Sequence, residues 1–358
     1  MNVAFFIPEL SNRGGVEIST INIVNALASS SKININLIVF NDDAFVSELH
    51  PKVNITSLNI ANYKKQYLTL IRRFRHLLMS NEIDVVVTVE SMSYLFSFFP
   101  LMTLRNRPKV VVWEHFNYKN DNGRKSRRFL RFLAAKSADL IVLLTERDVE
   151  EWKKNINMSA KITYIYNIST FNRFYNNYDV NSKTIISIGR YTQVKGFDRL
   201  IDIWKIFQNK YSVSDWRLNI IGYGDDKEYL QSLIDDSNVK SINLISSENI
   251  DINYVNASFY CMTSYYEGLP MVLIEAQSFG LPSIAFDIFT GPSEILDEST
   301  GILIKDSDLE AYADAIYKLI SDPELRRKMS ISALQASSRF SKEIVIEKWI
   351  DKLEKITS

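Results

Sequence analysis

The chain has 358 residues, 46% of them hydrophobic and 23% charged, with 42 basic against 42 acidic side chains. That composition describes a globular protein long enough for two cores and excludes a disordered or fibrous chain. A pI near 6.9, with no nucleic-acid signature, argues against a nucleic-acid binder. Cys261 is the sole cysteine and His50, His76 and His115 are the only histidines, so neither a disulfide framework nor a metal site is expected.

The N-terminus, Met1-Asn2-Val3-Ala4-Phe5-Phe6-Ile7-Pro8, carries no basic leader and reads as a first strand. No apolar run reaches the ~18 residues of a membrane span. A cytoplasmic protein is therefore expected. Short β-rich runs follow at residues 3–8, 35–40, 84–89, 110–115, 140–145 and 162–167, then at 184–189, 217–222, 242–246, 259–264, 282–287 and 301–304, with amphipathic segments between them. Such alternation predicts parallel sheets flanked by helices. Residues 169–182 are polar and lack an apolar period, which marks an interdomain linker. The expected organisation is a first α/β domain over 1–170, a second over 171–340, and a final amphipathic helix over 341–358 with Trp349 on its apolar side.

The zero net charge hides an asymmetry. Residues 1–170 hold 22 Lys+Arg against 15 Asp+Glu, a balance of +7, and residues 171–358 hold 20 against 27, a balance of −7. The basic excess gathers at Arg72, Arg73 and Arg75 and again at Arg124, Lys125, Arg127, Arg128 and Arg131, the second group interleaved with Phe129, Leu130 and Phe132. That pattern suits a surface lying on an anionic bilayer, at ~1 kcal/mol per cation near the lipid, and equally suits a solvated helix face.

Each half opens on a loop suited to an anion. After the first strand come Gly14-Gly15-Val16-Glu17 and a helix, and glycines at a helix start let backbone N–H groups approach a phosphate closely. An ordinary turn is the other reading. In the second half Arg190 stands at a strand tip, followed by Lys195 in the loop and a helix near Asp198. Two cations there could neutralise a departing diphosphate without a metal ion. His115 lies where a first-half strand ends, either to contact a ligand or as a structural histidine. Gly291-Pro292-Ser293-Glu294 is a further loop that could reach a ligand or serve as a capped turn. Gly222-Tyr223-Gly224 lacks the third glycine of a dinucleotide fingerprint and is followed by Asp225-Asp226, so it reads as a turn.

The most specific segment is Tyr266-Glu267-Gly268-Leu269-Pro270, leading into Met271-Val272-Leu273-Ile274-Glu275-Ala276. Glu267 falls on the loop after an apolar strand and Glu275 about one turn into the helix near Pro270. Were the intervening residues all helical, the carboxylates would stand ~12 Å apart, beyond the ~5–9.5 Å of a hydrolytic pair. Two contacts on one elongated ligand, such as a nucleotide-sugar, fit better, with a capping Glu and a solvent-facing Glu as the alternative.

Taken together, Gly14-Gly15, His115, Arg190 with Lys195, Glu267 with Glu275, and the turn Phe279-Gly280-Leu281-Pro282 resemble the retaining glycosyltransferases of family four over essentially the whole chain. The resemblance implies a GT-B fold: two Rossmann-like domains whose parallel sheets face a central cleft, with the last helix crossing back to the first domain. It implies that Glu267, with Gly268 and Leu269, meets the donor sugar, Glu275 the ribose, and Arg190 with Lys195 the diphosphate. Gly14 and Gly15 would face the phosphates, and His115 the sugar. It further implies a metal-independent transfer of a hexose or N-acetylhexosamine, from a UDP-sugar and without a cofactor, to a lipid-linked glycan in lipopolysaccharide, O-antigen or capsule synthesis. The enzyme would sit peripherally at the inner face of the bacterial inner membrane. The first loop, Pro8 to Arg13, departs from the common family pattern and leaves the acceptor open. A GT-B nucleotide-sugar epimerase and a non-catalytic membrane-associated partner are the competing readings.

Overall fold

A computed structural model describes residues 1–10, 14–30, 32–41, 48–80, 82–121, 123–171, 178–237, 239, 241–246 and 249–358. Ser11, Asn12 and Arg13 of the first loop, and linker positions 172–177, lie outside the described residues. The chain divides into two compact units: Met1–Ile168 with Lys342–Ser358, and Ser169–Ser341.

The first unit holds seven strands, β1 (Asn2–Phe6), β2 (Asn34–Val39), β3 (Val53–Ser57), β4 (Val85–Val89), β5 (Lys109–Trp113), β6 (Leu140–Leu143) and β7 (Lys161–Tyr164). Their order is β3-β2-β1-β4-β5-β6-β7 and every pairing is parallel. β4 is buried at all five positions, as a central strand covered on both faces must be. β3 is the strand the sequence pattern misses. It lies at the sheet edge with only half-covered side chains, so Val53-Asn54-Ile55-Thr56-Ser57 never needed a continuous apolar run.

The second unit holds β8 (Thr184–Ile188), β9 (Arg217–Ile221), β10 (Ile242–Ile245), β11 (Phe259–Met262), β12 (Ser283–Asp287) and β13 (Gly301–Lys305), ordered β10-β9-β8-β11-β12-β13 and again all parallel. Both sheets therefore reverse their strand order once, at β1/β4 and at β8/β11. In an open α/β sheet the crevice beyond the carboxyl ends of the strands at such a point is where ligands bind.

The last helix, Lys342–Thr357, belongs to the first unit. Trp349 is fully buried there, 6.0 Å from the Phe5 ring and 5.2 Å, edge to face, from Trp113. The helix is thus anchored on β1 and β5 by aromatic packing. No helix among the described residues is long and apolar enough to cross a membrane.

Candidate functional site

The loops leaving β8 and β11 carry the second unit's charged residues, and backbone geometry locks them together. Gly196 ends the 3-10 turn Gln193–Lys195 in the left-handed region (φ 63°), and a Cβ on it would lie 2.1 Å from the Thr263 carbonyl oxygen. Only glycine permits that approach. Thr263 Oγ1 donates to the Gly196 carbonyl at 2.8 Å, and the Tyr265 amide donates to the Val194 carbonyl at 2.8 Å. Buried Arg199 completes the lock, its guanidinium donating to the Thr263 and Ser264 carbonyls and pairing with Asp306 at 2.9 Å. The same guanidinium lies 4.2 Å from the ring centres of Tyr265 and of Phe286.

On this frame Lys195 Nζ meets Glu267 Oε1 at 2.8 Å, with both side chains partly open to solvent. Arg190 projects into solvent from the end of β8, and no ion pair engages it among the described residues. From the other side, Thr290 Oγ1 donates to the Glu267 carbonyl at 2.9 Å. Gly291, at φ 104°, packs so tightly on the Glu267–Pro270 loop that a Cβ would come 2.5 Å from Pro270 Cδ. The Gly291-Pro292-Ser293-Glu294 segment therefore braces this loop, and Glu294 sits half-buried on the short helix Pro292–Ile295.

The helix after the loop runs Met271–Ser278 with Pro270 as its N-cap, one position earlier than the first helical residue where proline is most favoured. Glu275 is half-buried and makes no ion pair with Lys195 among the described residues. Its carboxylate accepts from Tyr254 Oη at 2.8 Å and from Thr170 Oγ1 at 3.1 Å, and burial holds its pKa above the usual carboxylate range. The two glutamates thus have separate partners, and Glu267 is neutralised by a lysine, so they form no acid/base couple. Gly268 and Leu269 complete the turn, Leu269 buried beneath it. Gly222 and Gly224 pack against the backbone of Gly189 and Tyr191, where Cβ atoms would fall 1.9 and 2.4 Å from carbonyl oxygens, so this pair is structural.

In the first unit, Gly14 caps the helix Gly15–Ala28, and a Cβ on Gly15 would meet nothing within 4 Å. Among the described residues the Glu17 carboxylate stands at the start of that helix, where a Cβ on Gly14 would lie 2.6 Å from its Oε2. His115 is buried, its ring 4.3 Å from that of Trp113 and tilted 50° to it, and its Nε2 has no hydrogen-bond partner among the described residues. Burial lowers its pKa to about 4, outweighing the neighbouring Glu114, so the imidazole is neutral at physiological pH.

The basic segment of this unit corrects the expectation. In the helix Lys125–Ser137, Arg127 and Arg131 share the buried face with Leu130, Ala134 and Ala135, and neither can touch a membrane. Their guanidinium groups hold buried Glu114, Arg127 Nη1 at 3.1 Å and Arg131 Nε at 3.2 Å. Ser91 Oγ and the His115 and Phe116 amides donate to the same carboxylate. Burial alone would raise the Glu114 pKa, yet Arg131 and Arg127 bring it down to about 2. Arg131 also donates to the Tyr118, Phe116 and Asn120 carbonyls, fixing the loop after His115. The solvent face of the helix instead carries Lys125, Arg128, Phe129 and Phe132, the two rings 64% and 48% exposed. Composition could not tell which arginines turn inward, because the partner that draws them there, Glu114, comes from β5. On the helix Tyr67–Ser80, Arg73 donates to the Leu58 and Asn59 carbonyls and Arg75 to Thr103, while Arg72 is exposed.

Two parallel sheets, each reversing its strand order once, give the two Rossmann-like units of the GT-B class. Family models agree: "Glycosyltransferase Family 4" matches residues 13–168 and "Glycosyl transferases group 1" matches residues 169–335. An uncharacterised glycosyltransferase of Haemophilus influenzae is 31% identical over 97% of this chain and 98% of its own length. The amylovoran biosynthesis glycosyltransferase AmsD of Erwinia amylovora is 31% identical over 69% of this chain and 70% of its own. Among solved structures, Anabaena HepE in complex with UDP-glucose superposes with a TM-score of 0.80 at 16% identity, covering 99% of this chain and all of that one. The chain belongs to the group 1 glycosyltransferases with a family 4 N-terminal domain, and it is a glycosyltransferase of GT-B fold.

Proposed function

We propose that this enzyme is a retaining, metal-independent glycosyltransferase that moves a hexose or N-acetylhexosamine from a UDP-sugar to a hydroxyl of a lipid-linked glycan, in the synthesis of a bacterial surface polysaccharide. One observation carries the reading: Lys195 and Glu267 converge at the β8/β11 switch point, 2.8 Å apart and partly open, with Arg190 at the tip of β8. A cation ~4 Å from a phosphate oxygen contributes up to ~4 kcal/mol of gross attraction at an effective dielectric near 20. Arg190 and Lys195 would oppose the charge that grows on the diphosphate as the bond from the sugar C1 to its oxygen breaks. The acceptor hydroxyl would attack C1 on the face the diphosphate leaves, its proton passing to the departing phosphate. Glu267 would accept from a sugar hydroxyl and Glu275, with Tyr254 beside it, would serve the ribose. His115 would present a neutral imidazole to the sugar, and the helix start at Gly14 and Gly15 would receive phosphate. The amylovoran and HepE relatives support a polysaccharide role and a UDP-linked donor.

The membrane part of this reading rests on the face that stays exposed: Arg72, Arg124, Lys125 and Arg128, with Leu68, Phe129 and Phe132 beside them in the two helices or at their start. The test is release of UDP from a panel of UDP-sugars, with lipid extracts as acceptor, in buffer containing EDTA. Unchanged turnover is expected, and a strict divalent-metal requirement would overturn the metal-free mechanism. Flotation with phosphatidylglycerol vesicles, lost on joint replacement of Arg128, Phe129 and Phe132 by serine, tests the attachment.

A further inference from the structure

His115 stands two residues beyond Trp113 at the end of β5. Its imidazole lies 4.3 Å from the Trp113 indole, and its Nε2 makes no hydrogen bond among the described residues. A ring held by packing is only as well placed as the rings behind it, because a close-packed interior passes a displacement on. Two rings stand behind Trp113. Trp349 of the last helix meets it edge to face at 5.2 Å, and Phe5 of β1 lies 6.4 Å from Trp113 and 6.0 Å from Trp349. All three are fully buried. The indole N–H groups of Trp113 and Trp349 have no hydrogen-bond partner among the described residues, so shape sets where these side chains rest. Burying the helix does not by itself call for a ring. Its other buried positions, Val345, Ile346, Leu353 and Ile356, are aliphatic, and the stripe carries an indole where it meets Trp113 of β5.

We propose that Trp349 is a positioning residue of the transfer reaction: acting through Trp113, it holds the His115 imidazole in the place from which Nε2 meets the donor's sugar. The inference rests on the glycosyltransferase reading and adds the C-terminal helix to its working parts. A smaller side chain at 349 would leave space for the Trp113 indole to relax into, and the imidazole packed on that indole would shift with it and lose part of its cover. Misplacing a contacting group by ~1 Å costs up to ~10²-fold in rate, so the effect reaches the chemistry without any contact between Trp349 and the ligand. Glu114 and Arg127, the charged groups that act on His115, are bound to each other at 3.1 Å, so a changed His115 titration in a Trp349 variant reports the imidazole's cover.

Trp349→Leu and Trp349→Phe in the full chain test this, each first checked for an intact fold by urea unfolding. Trp349→Met, closer to indole in length, carries the same expectations as Trp349→Leu if the latter does not fold. Imidazole NMR reads the placement without substrate. Burial, outweighing Glu114, holds His115 at about 4. Trp349→Leu should move that midpoint up toward ~6.5 with His50 and His76 unchanged, and Trp349→Phe should leave it where it is. An unmoved His115 midpoint in folded Trp349→Leu would overturn the inference. Turnover is the second arm, read as UDP release from UDP-glucose and UDP-N-acetylglucosamine with lipid extract as acceptor. Trp349→Leu should lower kcat ~10- to 100-fold and leave the donor KM nearly unchanged, and Trp349→Phe should restore most of the rate. In a His115→Ala background the further loss should vanish, since a residue acting through His115 has nothing left to position. Full additivity there would make Trp349 a structural residue only and overturn the inference while the glycosyltransferase reading stands. Wild-type turnover in His115→Ala would remove the sugar contact and this inference together, and a wild-type chain that neither binds UDP in calorimetry nor releases it would remove the glycosyltransferase reading itself.

Discussion

Each unit carries a cluster of arginine or lysine around a glutamate beyond its strand ends, and the two clusters have opposite fates. In the first, Glu114 is fully buried and every lone pair is engaged by Arg127, Arg131, Ser91 and two backbone amides. In the second, Glu267 holds Lys195 through one oxygen while water reaches both, and Arg190 stands in solvent. A saturated, buried set of charges can only hold structure, because any ligand would have to displace bonds it cannot replace. A half-open pair leaves donors that an incoming anion can take over. The comparison separates positioning from chemistry more sharply than residue type does.

The largest effect should come from Glu114→Ala, which leaves Arg127 and Arg131 buried without their carboxylate. A loss of ~3–5 kcal/mol of stability is expected in urea unfolding, as for other broken buried pairs. A loss below ~1 kcal/mol, typical of exposed pairs, would place Glu114 in the same class as Glu267 and erase the contrast. Next in size, Lys195→Ala and Arg190→Ala should each lower kcat/KM by ~10²–10³ with little change in Tm, the cost of removing one preorganised charge-stabilising donor. Substantial unfolding in either variant would make the second cluster structural too. The smallest effect is also the most direct probe of the first cluster's interior. With three histidines in the chain, imidazole NMR can follow each one, and His115 should titrate near 4. Its folded pKa lies below the unfolded value, so the stability it contributes is complete above pH ~6.5 and is lost as pH falls toward 4. His115→Phe should flatten that part of the pH profile, and a His115 midpoint near 6.5 would show that water reaches the cluster.

Much of this was legible beforehand because it depends on local rules. Alternating apolar runs and amphipathic segments define twelve of the thirteen strands, and the missed one, β3, is an edge strand with no fully buried side chain. The candidate positions in the second unit were legible for a related reason: a loop cation or carboxylate next to glycine or proline at a strand end has few structural uses. What hid were the braces, Arg199, Thr263 and Thr290, whose bonds run to carbonyls far away in sequence. Arg199 sits in an ordinary amphipathic helix and gives no sign that it faces inward.

By itself the amino-acid order determined the parallel α/β class, the two-part organisation and which loops could carry charge, since periodicity and strand-end chemistry act over a few residues. Only the tertiary structure decided which charges are free to act. Arg127 and Arg131 looked like membrane anchors beside Phe129 and Phe132, yet the arginines turn inward and the phenylalanines outward. The reason is that a guanidinium enters a core only when a fixed carboxylate repays its desolvation, and the Glu114 that does so arrives from the end of β5 rather than from the arginines' own helix.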